Sequence, residues 1–202
     1  MRKIAATYVF TGDQPPIKNG IVTLDDKGTI LNISQHENLT ESQNLEFYSG
    51  ILVPGFVNAH CHLELSHLKG KIGEKTGIGG FVGQINLLRN QEISDVEKAM
   101  QTADRLMWAA GIAATGDISN SLLSIDTKKK SRIFYHTFIE SFGFHPSRAE
   151  RAFDLAVSLE NEFSENGLAC SVVPHSPYSV SQPLFEKIKK HVAEKIFNFL
   201  IN

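Results

Sequence analysis

Two histidines separated by one residue are the most informative chemical feature of the sequence. His60 and His62 end an apolar run that begins at Ile51, and in an extended chain residues i and i+2 project to the same side. Cys61 then points the other way. Two neutral imidazoles placed like this can chelate one divalent metal ion, and zinc is the first candidate, with iron the second.

The position of the pair favours a functional site over a chance His-x-His pattern. Its strand, predicted over Ile51–Ala59, is almost wholly apolar, as expected of a strand buried on both faces. Active sites in α/β folds lie at the downstream ends of such strands. If the strand runs far enough, Asn58 and Glu64 share the side of the two histidines, where they could orient a ligand or contact substrate.

Three further residues lie at the ends of later predicted strands. Asp117 ends the second strand of this region and Glu140 the third, and each either contacts substrate or hydrogen-bonds a loop. His175 follows the fourth strand and is open to three interpretations: a third metal ligand, a substrate contact, or a loop histidine. His191 and Glu194 spell a second ligand-like pattern, but they lie in a predicted crossover helix, so we expect a structural role.

The first 50 residues read as a small β layer. The predicted strands are Ile4–Phe10, Gly20–Leu24 and Thr29–Ile33, and Gly28 occupies a turn position that needs positive φ. The polar stretch Ser34–Ser49 is predicted as a loop with at most one short strand. We therefore predict residues 1–50 to be the N-terminal part of a β-sandwich domain and 51–202 to form a separate α/β domain.

Strands and helices alternate from Ile51 onward. A glycine-rich loop is predicted at Gly70–Gly83, and Lys128 to Lys130 are predicted to lie in a solvated loop. The predicted helices and later strands are, in order, helix Ser94–Ala110, strands Ile112–Ile118 and Ile133–Ile139, helix Ser147–Glu165, strand Leu168–Val173, helix Pro183–Lys195 and strand Ile196–Ile201. This alternation predicts right-handed βαβ units and a parallel sheet.

The composition excludes several classes of partner. The 202-residue chain has 42% hydrophobic and 21% charged residues and a formal net charge of −2, which favours no nucleic-acid or membrane partner. Two cysteines cannot make a disulfide framework, so a cytoplasmic location is expected. The apolar run Ile4–Phe10 is too short and too polar for a signal peptide or a membrane span.

Two segments carry a resemblance to a known family. The sequence from Leu52 to His62 (Leu-Val-Pro-Gly-Phe-Val-Asn-Ala-His-Cys-His) resembles the first barrel strand of the amidohydrolase superfamily. The sequence from Pro174 to Ser181 (Pro-His-Ser-Pro-Tyr-Ser-Val-Ser) is similar to a stretch found in the branch that holds adenosine and guanine deaminases and triazine hydrolases. Residues 62–70 and 77–81 resemble the aminodeoxyfutalosine deaminase-like proteins of that branch.

The resemblance implies an α/β fold in which a partial (β/α)8 TIM barrel, about its first four to five strands, follows part of a small β-sandwich. It implies a metal-dependent hydrolase acting on C–N bonds, with His60 and His62 as metal ligands and His175, with Glu140 and Glu64, binding a small-molecule substrate. Deamination of an aminopurine-type nucleoside is the expected reaction. A triazine, imidazolone or amide hydrolase is the alternative, and the full-length relative is expected to be a homo-oligomer.

The same resemblance places the remaining machinery outside the chain. The third metal histidine, a proton-shuttling glutamate and the catalytic aspartate are expected beyond residue 202, so the catalytic residues stay unknown. A complete (β/α)8 barrel needs roughly 250 residues. We therefore expect the chain to be an N-terminal fragment that is inactive alone, and a third possibility is an inert, truncated product.

Overall fold

The structure, a computed structural model, describes residues 1–35, 44–88 and 92–201. The chain divides into two compact units, of which the first runs from Met1 to Gly55 and the second begins at Phe56. The predicted domain boundary at residue 50 stays a prediction. None of the described helices is both long enough and apolar enough to cross a membrane.

The first unit is a four-stranded sheet with the strand order β3-β2-β1-β4. Its strands are β1 (Arg2–Val9), β2 (Ile17–Leu24), β3 (Ile30–Gln35) and β4 (Leu45–Leu52). β1 pairs antiparallel with β2 and parallel with β4. The predicted turn is present, with Gly28 at φ 87°, and the Asp25 carboxylate accepts hydrogen bonds from the N–H groups of Lys27 and Thr29. Of the predicted loop Ser34–Ser49, positions 36–43 lie outside the described residues.

The predicted single strand Ile51–Ala59 is wrong. β4 ends at Leu52, and the next strand, β5, covers Phe56–Cys61 in a different sheet. Pro54 lies in the break, where it has no N–H to donate to either ladder. Two-sided burial is also wrong, because Phe56 and Val57 are 56% and 68% exposed. β5 stands at one end of the described strand order, which leaves it less covered than a central strand.

The second unit is a mixed α/β structure around a parallel sheet, as predicted. Its strands follow the order β5-β6-β7-β8, and all three neighbouring pairs are parallel. After β5 the elements are a 3₁₀ helix (Leu63–Leu68), α1 (Gly77–Leu88), α2 (Ile93–Ala109), β6 (Ile112–Ser119), α3 (Ile125–Lys130), β7 (Phe134–Ser141), a 3₁₀ turn (Pro146–Arg148), α4 (Ala149–Glu165), β8 (Ala169–Pro174) and α5 (Gln182–Ile201).

Three segments differ from the sequence-based expectation. The glycine-rich stretch becomes helical from Gly77, and Lys128 to Lys130 form the last turn of α3. The predicted strand Ile196–Ile201 is the continuation of α5, so the described residues contain four parallel strands and not five. A short apolar run fits a strand and a buried helix equally well, and here the helix that precedes it decides.

Two hydrophobic clusters hold the sheet against its helices. In the first, Ile139 and Val172 of the sheet pack with residues of α4 and α5, among them Phe163 and Leu184. In the second, Leu63 packs with residues of α2 and β7, namely Val96, Met100 and Tyr135, together with Ile133 just before β7. Leu63 is fully buried and directly follows His62, so the second cluster anchors the chain where it leaves β5.

Candidate functional site

The two histidines of the His-x-His motif lie side by side at the end of β5. The ring centroids of His60 and His62 are 5.3 Å apart, with an interplanar angle of 69°. Cys61 packs against the cluster around Leu63. Burial first, and the neighbouring Asp117 carboxylate second, raise the pKa of Cys61 to about 12, so its thiol stays protonated near neutral pH and is not a thiolate ligand.

A close approach between β5 and β6 shapes this strand end. The pairing register shifts between Asn58 and Cys61, as in the bulges that often re-aim side chains beside active sites. A Cβ at Gly116 would lie 2.9 Å from the carbonyl oxygen of Ala59, so only glycine fits without a shift. The Asn58 Oδ1 accepts a hydrogen bond from the backbone N–H of His60 at 3.4 Å.

Asp117 is tied to the backbone beside the motif. It is fully buried, and its Oδ1 accepts a hydrogen bond from the backbone N–H of Leu63 at 2.7 Å. Its Oδ2 lies 2.7 Å from the Nζ of Lys128. Asp117 therefore holds the backbone at the start of the 3₁₀ helix, and its predicted contact with substrate stays a prediction. The predicted solvated position of Lys128 is wrong, because its side chain is 0% exposed.

Glu64 does not occupy the position that strand parity predicts. β5 ends at Cys61, and Glu64 lies in the following 3₁₀ helix with only 5% of its surface exposed. Its carboxylate accepts hydrogen bonds from the Asn120 N–H at 3.1 Å and the Ser121 hydroxyl at 2.7 Å. The contact of Glu64 with substrate stays a prediction. The alternation of side chains along β5 no longer supports it, because Glu64 lies outside that strand.

Glu140 and His175 come from the ends of β7 and β8. Oε1 of Glu140 lies 3.8 Å from Nε2 of His175, and their side chains are 11% and 37% exposed. The other ring nitrogen of His175, Nδ1, lies 2.6 Å from the Ser179 hydroxyl and 3.0 Å from that of Ser176. The His175 N–H also donates to the carbonyl of Ser141, which fixes the loop against β7.

Electrostatics link the two histidines of β5 to this second pair. Burial is the main cause that lowers the pKa of His62, and the Glu140 carboxylate opposes it. His60 and His175 lower that pKa further by repelling positive charge. The four strands are parallel, and His60, His62, Glu140 and His175 lie at or just after strand ends, so all four residues lie at one edge of the sheet. Asn120 connects Glu64 to the same edge, because its side-chain amide donates to the Glu140 carbonyl at 2.9 Å.

The donor set suits part of a metal site. Neutral imidazoles are good ligands for zinc and iron, and catalytic zinc sites typically take three protein ligands. Within residues 1–35, 44–88 and 92–201, no group of three or more His, Cys, Asp or Glu side chains is placed to hold a metal ion. His60 and His62 are therefore an incomplete ligand set as they stand.

The second ligand-like pattern is structural, as expected. His191 lies in α5, where its Nε2 is 2.6 Å from Oε2 of the buried Glu160. Oε1 of the exposed Glu194 lies 3.8 Å from the Nζ of Lys190. Sequence reasoning missed the contacts of the buried Lys128 and the half-buried Asn120, because neither a lysine run nor a lone asparagine signals such contacts by its spacing.

A cleft of about 460 Å³ adjoins Glu140. Its lining combines polar and apolar side chains from the end of β7 and the residue after it, from the 3₁₀ turn and α4, and from the segment after β6. They include Asn120, Glu140, Phe142, Arg148, Arg151 and Leu155. This volume falls in the range of pockets that bind small molecules.

One curated protein is similar to the chain in sequence. No protein-family model matches the chain. An adenosine deaminase of Helicobacter pylori is 26% identical over 168 residues, a match that covers 81% of this chain and 40% of that protein. The chain thus spans less than half the length of this curated relative.

Solved structures share the fold at low sequence identity. The chain superposes on aminofutalosine deaminase of Helicobacter pylori in complex with methylthio-coformycin with a TM-score of 0.79, 22% identity, and coverage of 96% of this chain and 49% of that one. Atrazine chlorohydrolase of Arthrobacter aurescens TC1 complexed with zinc gives 0.77 at 14% identity, with coverages of 96% and 51%. The chain is thus similar in sequence to a deaminase and shares the fold of deaminases and hydrolases that are about twice its length.

Proposed function

We propose that the chain supplies metal ligands and substrate contacts to a metal-dependent hydrolase that acts on C–N bonds other than peptide bonds. The reaction we infer is deamination of an aminopurine-type nucleoside of the aminodeoxyfutalosine kind. One observation carries the proposal: the adjacent rings of His60 and His62 share a sheet edge with Glu140 and His175. In this proposal β5 to β8 are the first four strands of a (β/α)8 barrel, and the first unit is part of a β-sandwich.

His60 and His62 would hold a divalent ion, which when bound acts as a Lewis acid and activates water. Zinc is the ion we infer, because atrazine chlorohydrolase, which shares the fold, is complexed with zinc. The lowered pKa of His62 favours this role. A pKa below the usual value keeps the imidazole neutral at neutral pH, and the neutral form is the one that binds metal.

Glu140 and His175 would orient the substrate ring. A carboxylate accepts hydrogen bonds and an imidazole Nε2–H donates one, so the pair presents an acceptor beside a donor. The amidine unit of an aminopurine offers the complement, an amino donor beside a ring-nitrogen acceptor. Glu64 supports this arrangement indirectly, since its carboxylate holds the N–H of Asn120, whose side chain binds the backbone of Glu140.

A second hydrolase reaction on the same scaffold has specific support. The zinc-containing atrazine chlorohydrolase superposes with a TM-score of 0.77, close to the 0.79 of aminofutalosine deaminase. A triazine ring also presents nitrogen acceptors and amino donors to the Glu140–His175 pair. Similarity of fold does not distinguish an aminopurine from a triazine substrate, so binding measurements must distinguish them.

The test uses the purified protein loaded with zinc and two small-molecule probes. We expect a coformycin-type deaminase inhibitor to bind, and to bind more weakly in His175→Ala and Glu140→Gln. The exposed His145 provides the matched control, because His145→Ala removes an imidazole outside the proposed site. Tighter binding of a chlorotriazine than of the inhibitor would favour the second reaction. Equal binding in all variants would refute the proposed substrate edge.

We expect no appreciable turnover from the 202-residue chain alone, even with zinc supplied. Its described residues contribute only an incomplete ligand set, whereas open zinc sites take about three protein ligands. The two unpaired cysteines suit the cytoplasmic location we propose for this activity. Ammonia release by the chain that disappears in His60→Ala would contradict the expected inactivity.

A further inference from the structure

We propose that Lys128 is a positioning residue for the His60–His62 pair and acts through Asp117 and the backbone of Leu63. The inference deepens the proposed function, on which it rests for the role of the two histidines. The chain of contacts itself involves only protein atoms.

Each of the three N–H groups of the Lys128 ammonium has an acceptor. Its side chain is 0% exposed, and its Nζ lies 2.7 Å from Asp117 Oδ2, 3.1 Å from Ser119 Oγ and 2.9 Å from Thr137 Oγ1. A lysine has three N–H donors, so these three acceptors fix its orientation. Because Ser119 is on β6 and Thr137 is on β7, Lys128 reaches from α3 to bridge both strands.

The bridge continues to the metal-ligand motif. Held by Lys128 at Oδ2, the Asp117 carboxylate presents Oδ1 to the backbone N–H of Leu63 at 2.7 Å. That N–H belongs to the peptide plane that begins at the Cα of His62. Fixing its direction therefore fixes the ψ angle of His62, and with it the direction in which the imidazole leaves the chain.

Stability alone does not account for this arrangement. A buried ion pair is often no more stabilising than apolar side chains of the same size. Apolar residues at positions 117 and 128 would, however, leave the Leu63 N–H buried without this acceptor. The pair therefore orients a specific backbone group next to His62. Residues of this kind, which orient the ligands of a metal, typically change metal affinity 10- to 100-fold when replaced.

The experiment compares the ring signals of His60 and His62 in NMR spectra of the metal-free protein and during titration with zinc. In Lys128→Met we expect several or broadened His62 signals and zinc affinity reduced about 10- to 100-fold. The matched control is Lys195→Met, which removes another lysine paired at 2.6 Å with a buried carboxylate, that of Glu160. We expect this control to lose stability and leave both His signals unchanged.

A second variant distinguishes two roles of Lys128, the positioning of the Asp117 carboxylate and the compensation of its buried charge. It also replaces Lys128→Met in the experiment if that variant fails to fold. Asp117→Asn/Lys128→Met removes both buried charges and keeps an oxygen near the Leu63 N–H. Several or broadened His62 ring signals in this double variant would support the inference. Signals and zinc affinity like those of the unmodified protein, in either variant, would overturn it. If zinc leaves the signals of the unmodified protein unchanged, the proposed function fails, and the metal-free signals still decide the role of Lys128.

Discussion

The ammonium nitrogen of Lys128 lies 2.7 Å from a carboxylate oxygen of Asp117, and neither side chain is exposed to solvent. Burial is the largest influence on the pKa of Lys128 and lowers it, while the Asp117 carboxylate acts in the opposite direction. The ion pair is thus a buried pair of charged side chains that joins β6 to α3. Its removal tests how much of the fold depends on it.

Lys128→Met should reduce the free energy of unfolding by about 3–5 kcal/mol, because it leaves the Asp117 carboxylate buried without its cation. The double variant Asp117→Asn/Lys128→Met should recover part of that loss, since both charges are then absent. Urea denaturation followed by circular dichroism measures both quantities. A single variant as stable as the unmodified protein would show that the pair contributes nothing.

Gly116→Ala should destabilise the protein by about 1–3 kcal/mol, as expected when an atom is forced into a packed interior. The added Cβ would lie 2.9 Å from both the Ala59 carbonyl oxygen and a ring carbon of Phe138. Gly83→Ala is the matched control, because its Cβ meets nothing within 4 Å and lies in α1. There we expect a gain of about 0.5–1 kcal/mol from helix propensity.

These two substitutions can be compared by thermal unfolding, and zinc titration adds an independent readout. Ala59 immediately precedes His60, so displacing its carbonyl should weaken zinc binding in Gly116→Ala and leave Gly83→Ala unaffected. A Gly116→Ala protein with unchanged stability and zinc affinity would contradict the close approach of β5 and β6.

The sequence predicted features that depend on local spacing. The i, i+2 spacing of His60 and His62 correctly predicted rings on one side of an extended segment. Alternating strand and helix patterns correctly predicted the parallel sheet, and their ends placed Glu140 and His175 at its downstream edge. These inferences required only backbone geometry and the periods of helices and strands.

Features that depend on tertiary packing could not be predicted from the sequence. Nothing in the run Lys128 to Lys130 indicates that the first lysine turns inward, because that requires Asp117, Ser119 and Thr137 to meet in three dimensions. The prediction that Glu64 lies on the same side of the strand as the two histidines failed, because the strand ends at Cys61. No pattern of apolar residues in the sequence indicates this end. The apolar run after Lys195 continued as a helix because α5 already set its direction.

His191→Ala should cost about 1.5–3 kcal/mol of stability, because it removes a hydrogen-bonding partner of the buried Glu160 carboxylate. Glu194→Ala should change stability by less than about 0.5 kcal/mol, since Glu194 is exposed. Neither substitution should alter zinc affinity. A loss of zinc binding in both would restore this His-x-x-Glu pattern as a ligand set.

At a pH where the imidazole is neutral, His175 should carry its proton on Nε2. The Glu140 carboxylate 3.8 Å away favours a proton on that nitrogen, and the hydroxyl of Ser179 or of Ser176 can then donate a hydrogen bond to Nδ1. Long-range ¹H–¹⁵N correlation spectra distinguish the two tautomers directly. In Ser179→Ala we expect a mixture, because the shortest contact of Nδ1 is gone. A predominant Nδ1–H form in the unmodified protein would remove the donor assigned to substrate binding.

The most direct test of the account is calorimetric zinc titration of the metal-free protein beside His60→Ala, His62→Ala and the control His145→Ala. The account predicts one zinc ion per chain for the unmodified protein and the control, with modest affinity because the described residues offer only two ligands. It predicts no saturable binding in His60→Ala or His62→Ala. Equal zinc binding in all four proteins, or none in the unmodified protein, would contradict a metal centre at the end of β5.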